Sequence, residues 1–266
     1  MIIIGEKLNS TLKAVRPAME SRDAAAIIDL ARRQVDAGSS FLDVNAGMFL
    51  DQEIDTLVWM IDTIQAELDT PFAIDSPNPL AIEAGLKANK NGRPIINSIT
   101  GEKDRFDTIL PMALKYDAGV IALCMDDSGM PETAEQGITI ARKMIEDMTG
   151  AGMALEDIYN DPMIRPIGTG SHYGRAVLDI MRQVKEDYPQ VHIACGLSNI
   201  SYGIPARKLM NQAFLVAAMT SGMDGAILDP LDKKLMSFLY ATEALLGYDD
   251  YCMNYIEKFR EGELEV

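Results

Sequence analysis

Carboxylate and carboxamide side chains close almost every short apolar run of this chain. The runs are IIIGE (Ile2–Glu6), FLDVN (Phe41–Asn45), FAID (Phe72–Asp75), PIIN (Pro94–Asn97), VIALCMD (Val120–Asp126), IYND (Ile158–Asp161), IACGLSN (Ile193–Asn199) and AILD (Ala226–Asp229). Asp75, Asn97, Asp161 and Asn199, with Glu6, Asp43, Asn45 and Asp229 beside them, describe a polar ring with little positive charge. Such a ring suits two chemistries. Oxygen ligands hold a hard divalent cation. Alternatively, acceptor carboxylates and carboxamides that both donate and accept fit a flat heterocycle rich in N–H groups. Asparagine at two strand ends favours the heterocycle, because a cation gains more from carboxylates. At any single position an Asp or Asn after a strand simply caps the next turn or helix. Capping acts one loop at a time, however, and predicts no shared location for so many.

The elements that must position this ring follow from the rhythm between the runs. Segments of helical period are expected over 23–37, 51–68, 79–87, 106–116, 133–149, 174–186, 205–220 and 231–246, one after each apolar run. Eight strands alternating with eight helices is the pattern of a (β/α)8 barrel, an α/β fold whose chemistry sits at the carboxyl ends of the strands. With no linker or low-complexity stretch, residues 1–266 read as a single domain, and the tail from Tyr248 to Val266 as a last helix that then frays.

Composition narrows the function further. The 40 acidic and 24 basic side chains give a net charge of −16, which repels nucleic acid and anionic membrane. Two histidines, His172 and His192, form no HxH or HExxH pair, so a histidine metal site is not expected and both read as surface or packing residues. Three scattered cysteines (Cys124, Cys195, Cys252) lack the number and spacing for a four-thiolate cluster and suit a reducing cytoplasm. A first strand beginning at Ile2 leaves no room for a signal peptide, and no apolar run has the ~18 residues of a membrane span. There is no GxSxG elbow or P-loop, and Gly168-Thr169-Gly170 reads as a flexible loop.

Six motifs carry a resemblance. IIIGEKLN (Ile2–Asn9), LDVNAG (Leu42–Gly47), IDSPN (Ile74–Asn78), INSIT (Ile96–Thr100), YNDP (Tyr159–Pro162) and GLSNISYGIPAR (Gly196–Arg207) occur in order, each at an expected strand end. Together they resemble the methyltetrahydrofolate:corrinoid methyltransferases among the pterin-binding barrels, from one end of the chain to the other. The resemblance implies a dihydropteroate synthase-like (β/α)8 barrel, a homodimer, that moves a methyl group between N5 of tetrahydrofolate and the cobalt of a corrinoid. It implies that Asp75, Asn97 and Asp161 grip the pterin ring, that Gly196 and Ser198 flank the ligand, and that Asn199 lies near N5 and assists transfer. Arg207 matches a basic position downstream of the GLSN motif. Some relatives carry glutamine where this chain has Tyr202, so no role is carried over to that position. No protein metal site is implied. The corrinoid is expected on a partner protein docked over the barrel mouth, because neither histidine sits in a DxHxxG arrangement.

Three other readings compete. Dihydropteroate synthase would place an Arg-x-His pair at the last strand, where this chain has Asp229-Pro230-Leu231. A Schiff-base aldolase would need a buried strand-end lysine, for which Lys7 is the early candidate. A folate-binding subunit without turnover would keep the pterin residues but has no need of Asn199.

Overall fold

Side chains that alternate along each strand decide the architecture. In the computed structural model, which describes residues 1–265, β1 (Ile2–Asn9), β2 (Phe41–Asn45), β3 (Phe72–Asp75), β4 (Ile95–Thr100), β5 (Gly119–Leu123), β6 (Ile158–Asp161), β7 (His192–Gly196) and β8 (Gly225–Leu228) form a closed, all-parallel barrel. The strands pair in sequence order, and β8 closes on β1 through the register Ile2–Gly225 to Gly5–Leu228.

The strand period of two sorts residues into two cores. Ile3, Leu42, Ile74, Ile96, Val120 and Ile193 face the surrounding helices in one large cluster. Ile4, Ala73, Ile95, Ile121, Tyr159 and Ala194 form a second, separate layer, the packed interior of the barrel. Two residues further along the same inward-facing rows stand Glu6, Asp75, Asn97, Asp161 and Gly196. The barrel therefore changes from a dry floor to a polar mouth within one repeat of the pleat.

Eight of the ten α-helices among the described residues coat the barrel in the expected places: α2 (Ala24–Asp36), α3 (Glu53–Gln65), α4 (Pro79–Ala88), α5 (Lys103–Lys115), α6 (Ala134–Gly150), α7 (Tyr173–Asp187), α8 (Arg207–Thr220) and α9 (Lys233–Leu246). The remaining two are α1 (Arg16–Glu20), five residues in the loop after β1, and α10 (Met253–Arg260), the helix expected in the tail. Val266, the end of that expected segment, lies outside the described residues.

β1 and β4 run three residues past their apolar runs, to Asn9 and Thr100, β8 ends one residue before Asp229, and the fifth and seventh runs differ more. The fifth run does not continue to Asp126: pairing stops at Leu123, and Asp126 lies beyond it, bridged to Gly129. Its carboxylate accepts from the Ser128 N–H at 2.9 Å and the Ser128 hydroxyl at 2.6 Å, which is local turn capping. The seventh run stops at Gly196, and Leu197–Ser201 is a 3₁₀ turn. Its buried Leu197 and Ile200, three residues apart, anchor that turn to the barrel and leave Asn199 exposed.

Candidate active site

The mouth is built from pairs rather than isolated side chains. At the end of β2, the Asn45 amide donates to Asp75 Oδ2 at 2.9 Å, while Asn45 Oδ1 accepts from the Ser10 hydroxyl and the Gly47 N–H, each at 3.0 Å. Two residues deeper, Asp43 Oδ1 accepts from the Asn97 amide at 3.0 Å. These contacts fix the side chains of β2, β3 and β4 in alternating acceptor and donor roles. Asp75 has one carboxylate oxygen outside the Asn45 bond, and Asn97 has its amide oxygen outside the Asp43 bond.

On the far side, Asp161 is 7% exposed and accepts from the Met163 N–H at 2.8 Å, with the Gly196 N–H as a second donor. Asp229 is held on two sides, by the Leu231 N–H at 3.0 Å and by the Lys7 ammonium at 2.8 Å. Lys7 is thus an ion-pair partner, an arrangement unlike the neutral amine that Schiff-base chemistry requires.

Burial sets the charge state of this ring. Desolvation raises the carboxyl of Asp75 to about 6, opposed by the Asn45 hydrogen bond and by Arg105. It raises Asp161 to about 6 against the two backbone N–H donors. Glu6 rises to about 7, first through burial and then through the nearby Asp229, with Lys7 and Arg207 pulling it down. Asp43 is pushed well above the ordinary carboxylate range by burial and by its neighbour Asp75. Four carboxyls that resist ionisation face one opening, an arrangement that a ligand with hydrogen-bond donors relieves. Among the described residues no group of three or more His, Cys, Asp or Glu is disposed to hold a metal ion.

The loop after β7 completes the rim. Gly196, the end of the strand, precedes Ser198 and Asn199 on the 3₁₀ turn. A Cβ at Gly196 would stand 3.1 Å from Asn199 Nδ2, so the glycine makes room for that amide. Arg207 opens α8 and turns back: its guanidinium donates to the Ser198 carbonyl at 2.8 Å and the Ser201 hydroxyl at 3.1 Å. In the free protein Arg207 therefore braces the turn that carries Asn199. Tyr202 is 69% exposed, with that guanidinium 5.9 Å from its ring centroid.

The histidines lie elsewhere. His192 stacks on Tyr159 at the barrel floor, ring centroids 4.9 Å apart, and its Nδ1 is 3.0 Å from Asp224. His172 is exposed and packs on Tyr173. Sequence reasoning missed two supports of the mouth. Glu53, 6% exposed at the start of α3, accepts from the Ser76 hydroxyl directly after Asp75. Arg105 in α5 grips the same segment through carbonyls. Glu53 sits in the run Asp51-Gln52-Glu53, which reads as an ordinary acidic helix start, and nothing in the sequence sets Arg105 apart from a solvated helix residue.

A family profile described as "Pterin binding enzyme" matches residues 5–229. The chain belongs to the pterin-binding enzyme family. It is 38% identical to the methylcorrinoid:tetrahydrofolate methyltransferase of Eubacterium limosum, over 99% of this chain and 98% of that protein. It is 29% identical to methionine synthase of Mycobacterium tuberculosis over 85% of this chain, and spans 20% of that longer enzyme. The solved 7,8-dihydropteroate synthase of Vibrio fischeri superposes with a TM-score of 0.70 over 92% of this chain and 93% of that one; at 15% identity the likeness is one of fold.

Proposed function

We propose that this protein is a methyltransferase that moves a methyl group between N5 of tetrahydrofolate and the cobalt of a corrinoid carried by a partner protein. The observation that carries the reading is the paired lattice Asn45–Asp75 and Asp43–Asn97, set across the mouth from Asp161 and beneath the Asn199 turn. The end-to-end similarity to the Eubacterium limosum enzyme supports the same chemistry. That enzyme's name gives the direction methylcorrinoid to tetrahydrofolate, and we assign the same direction here.

Asp75, Asn97 and Asp161 hold the pterin edge: their open oxygens accept from its N–H groups while the Asn97 amide N–H stays on Asp43. Gly196 and Ser198 lie against the ligand, and Arg207 adds the positive charge that keeps the turn in place. The methyl group passes as a cation equivalent, so that the N5–C bond forms as the Co–C bond breaks and its electron pair stays on cobalt. N5, a secondary amine, is then a cation that still carries its hydrogen, and loss of that proton leaves the neutral N5-methyl product. Asn199 does not titrate near neutrality and is no general acid or base. Its amide oxygen accepts from, or lies against, the N5 cation as charge develops, an interaction strongest in the transition state. The protein acts as one domain over residues 1–266, as a cytoplasmic homodimer. Among the described residues no helix is long and apolar enough to cross a membrane. Exposed apolar side chains near the chain's end, Leu245, Tyr248, Tyr251 and Phe259, suit contact with a second copy.

Methyl transfer followed through the cobalt absorption change, in both directions, tests the reading. Asn199→Ala should lower turnover by about 10²–10³ while leaving tetrahydrofolate affinity within a few-fold, as expected for one preorganised transition-state contact. Folate binding without transfer, in the wild type and with a corrinoid protein present, would favour a folate-binding subunit instead. Loss of both would sink the proposal.

A further inference from the structure

Arg105 stands outside every motif of this chain, yet it donates four hydrogen bonds to the backbone that carries the pterin-facing residues. Its Nη1 donates to the Pro77 carbonyl at 2.6 Å and its Nη2 to the Ser76 carbonyl at 3.0 Å. Its Nε and Nη2 both donate to the Ser98 carbonyl, at 3.1 and 2.6 Å. Ser76 and Pro77 follow Asp75; Ser98 follows Asn97. The guanidinium therefore ties the exit of β3 to the last residues of β4, just past their ladder and beside the backbone bond from the Ser76 N–H to the Asn97 carbonyl at 3.1 Å. It is half-buried, and its charge acts through space on Asp75 and Glu102.

A planar fork suits this task and an ammonium does not. Three carbonyls on two chain segments need donors fixed in one plane at set angles, which guanidinium supplies and a single rotating ammonium cannot. A positive charge satisfied only by neutral carbonyls also keeps its field for a neighbour. The charged and titratable groups facing Asp75 are Asp43 from β2, Glu53 from α3 and Arg105 from α5, with Asn45 as hydrogen-bond donor. Glu6 from β1 acts on Asp43. Arg105 is the cation in this set.

We propose that Arg105 is a positioning residue for methyl transfer: its guanidinium locks the exits of β3 and β4 in register and keeps a positive charge on the segment whose Asp75 receives the pterin. The inference rests on the tetrahydrofolate reading for its consequence, but its first test needs no ligand. The Asp75 side-chain carboxyl can be titrated by carbon NMR in the free wild type, Arg105→Lys and Arg105→Gln, with thermal melts alongside. Arg105→Gln should raise the Asp75 midpoint, and Arg105→Lys should leave it near the wild-type value. Tetrahydrofolate affinity, measured per folded molecule, should fall roughly ten-fold in Arg105→Gln, the scale expected for a lost charged hydrogen-bond set. Arg105→Lys should fall by less, since it keeps the charge and loses the fork. An unmoved Asp75 midpoint in Arg105→Gln overturns the electrostatic role. Melting temperatures that drop while both variants keep wild-type affinity overturn the positioning role and leave Arg105 a fold stabiliser. If Arg105→Gln does not fold, weakened binding by a folded Arg105→Lys supports the positioning role, and wild-type binding by it overturns that role. Absence of folate binding by the wild type itself would count against the function, because the titration of Asp75 is decided without it.

Discussion

Asp75 and Asp161 each titrate near 6, about two units above an ordinary aspartate, because both are withdrawn from water without a full set of donors. A pterin N–H that donates to a carboxylate favours its ionised form, so the proposed pterin contacts would draw both values down on binding. At a pH close to 6 the free protein therefore carries protons that the complex does not, and binding releases them. The sign follows from linkage: affinity strengthens as pH rises toward the free-protein values and levels off once both groups are ionised. Calorimetric titration with tetrahydrofolate at about pH 6, in two buffers of different ionisation enthalpy, reads the released protons directly. We expect net release there and almost none from these two groups near pH 8. Identical heats in the two buffers at the lower pH would show that these carboxyls do not meet the ligand's donors. Asp43, deeper in the ring, is pushed well above the ordinary carboxylate range by burial and then by the neighbouring Asp75. Its carboxyl accepts from the Asn97 amide.

The turn after β7 shows what an element adds to such residues. Gly196 has φ −70°, which any residue can adopt, so the backbone alone does not demand glycine there. Space does: the 3.1 Å between a new Cβ and Asn199 Nδ2 is a few tenths of an ångström too tight. Asn199 is exposed and free to yield, so Gly196→Ala should fold normally and push the amide aside. We expect turnover to fall by about ten-fold or more, because small misplacements of a reacting-centre contact are costly, with a much smaller change in folate affinity. Equal loss of both, or of neither, would contradict that division of labour. The same region marks the limit of reading elements from sequence. Strands β2, β3 and β6 have the boundaries their apolar runs announce, since each run ends where inward-facing positions turn polar. At β5 the apolar Cys124 and Met125 continue after the ladder ends, because hydrophobicity records burial and not pairing. At β7 the i, i+3 spacing of Leu197 and Ile200 was the available sign of a helical turn. Helix α5 begins three residues before its apolar stripe because its first turn, Lys103-Asp104-Arg105, is polar. That polar turn hides Arg105, whose partners are backbone carbonyls without any sequence signature.

Across the whole molecule, the ring of buried carboxyls costs stability as pH rises. Glu6, Asp43, Asp75 and Asp161 all have folded-state values raised above those of an unfolded chain, so between about pH 4 and pH 7 the folded protein binds more protons than the unfolded one. Stability from these groups is greatest below the unfolded values and declines as pH rises through the folded ones. Asp224 and Asp232, held low by Lys185, His192 and Lys208, act in the opposite sense: their contribution is present above the unfolded value and lost as pH falls. A net charge of −16 adds self-repulsion at the alkaline end. The melting temperature of the free protein should therefore be several degrees higher near about pH 5.5 than near about pH 8, given ~2–4 °C per kcal/mol for a chain of this size. Asp75→Asn removes one buried charge while keeping the side chain's shape, so at the higher pH it should melt at or above the wild type and yet bind tetrahydrofolate poorly. Saturating tetrahydrofolate should narrow the wild-type gap, because ligand donors favour the ionised ring. A wild-type melting temperature that climbs from pH 5.5 to 8, or an Asp75→Asn variant that loses stability and binding together, would mean that these carboxylates hold the barrel together and are not held ready, at a cost, for a ligand.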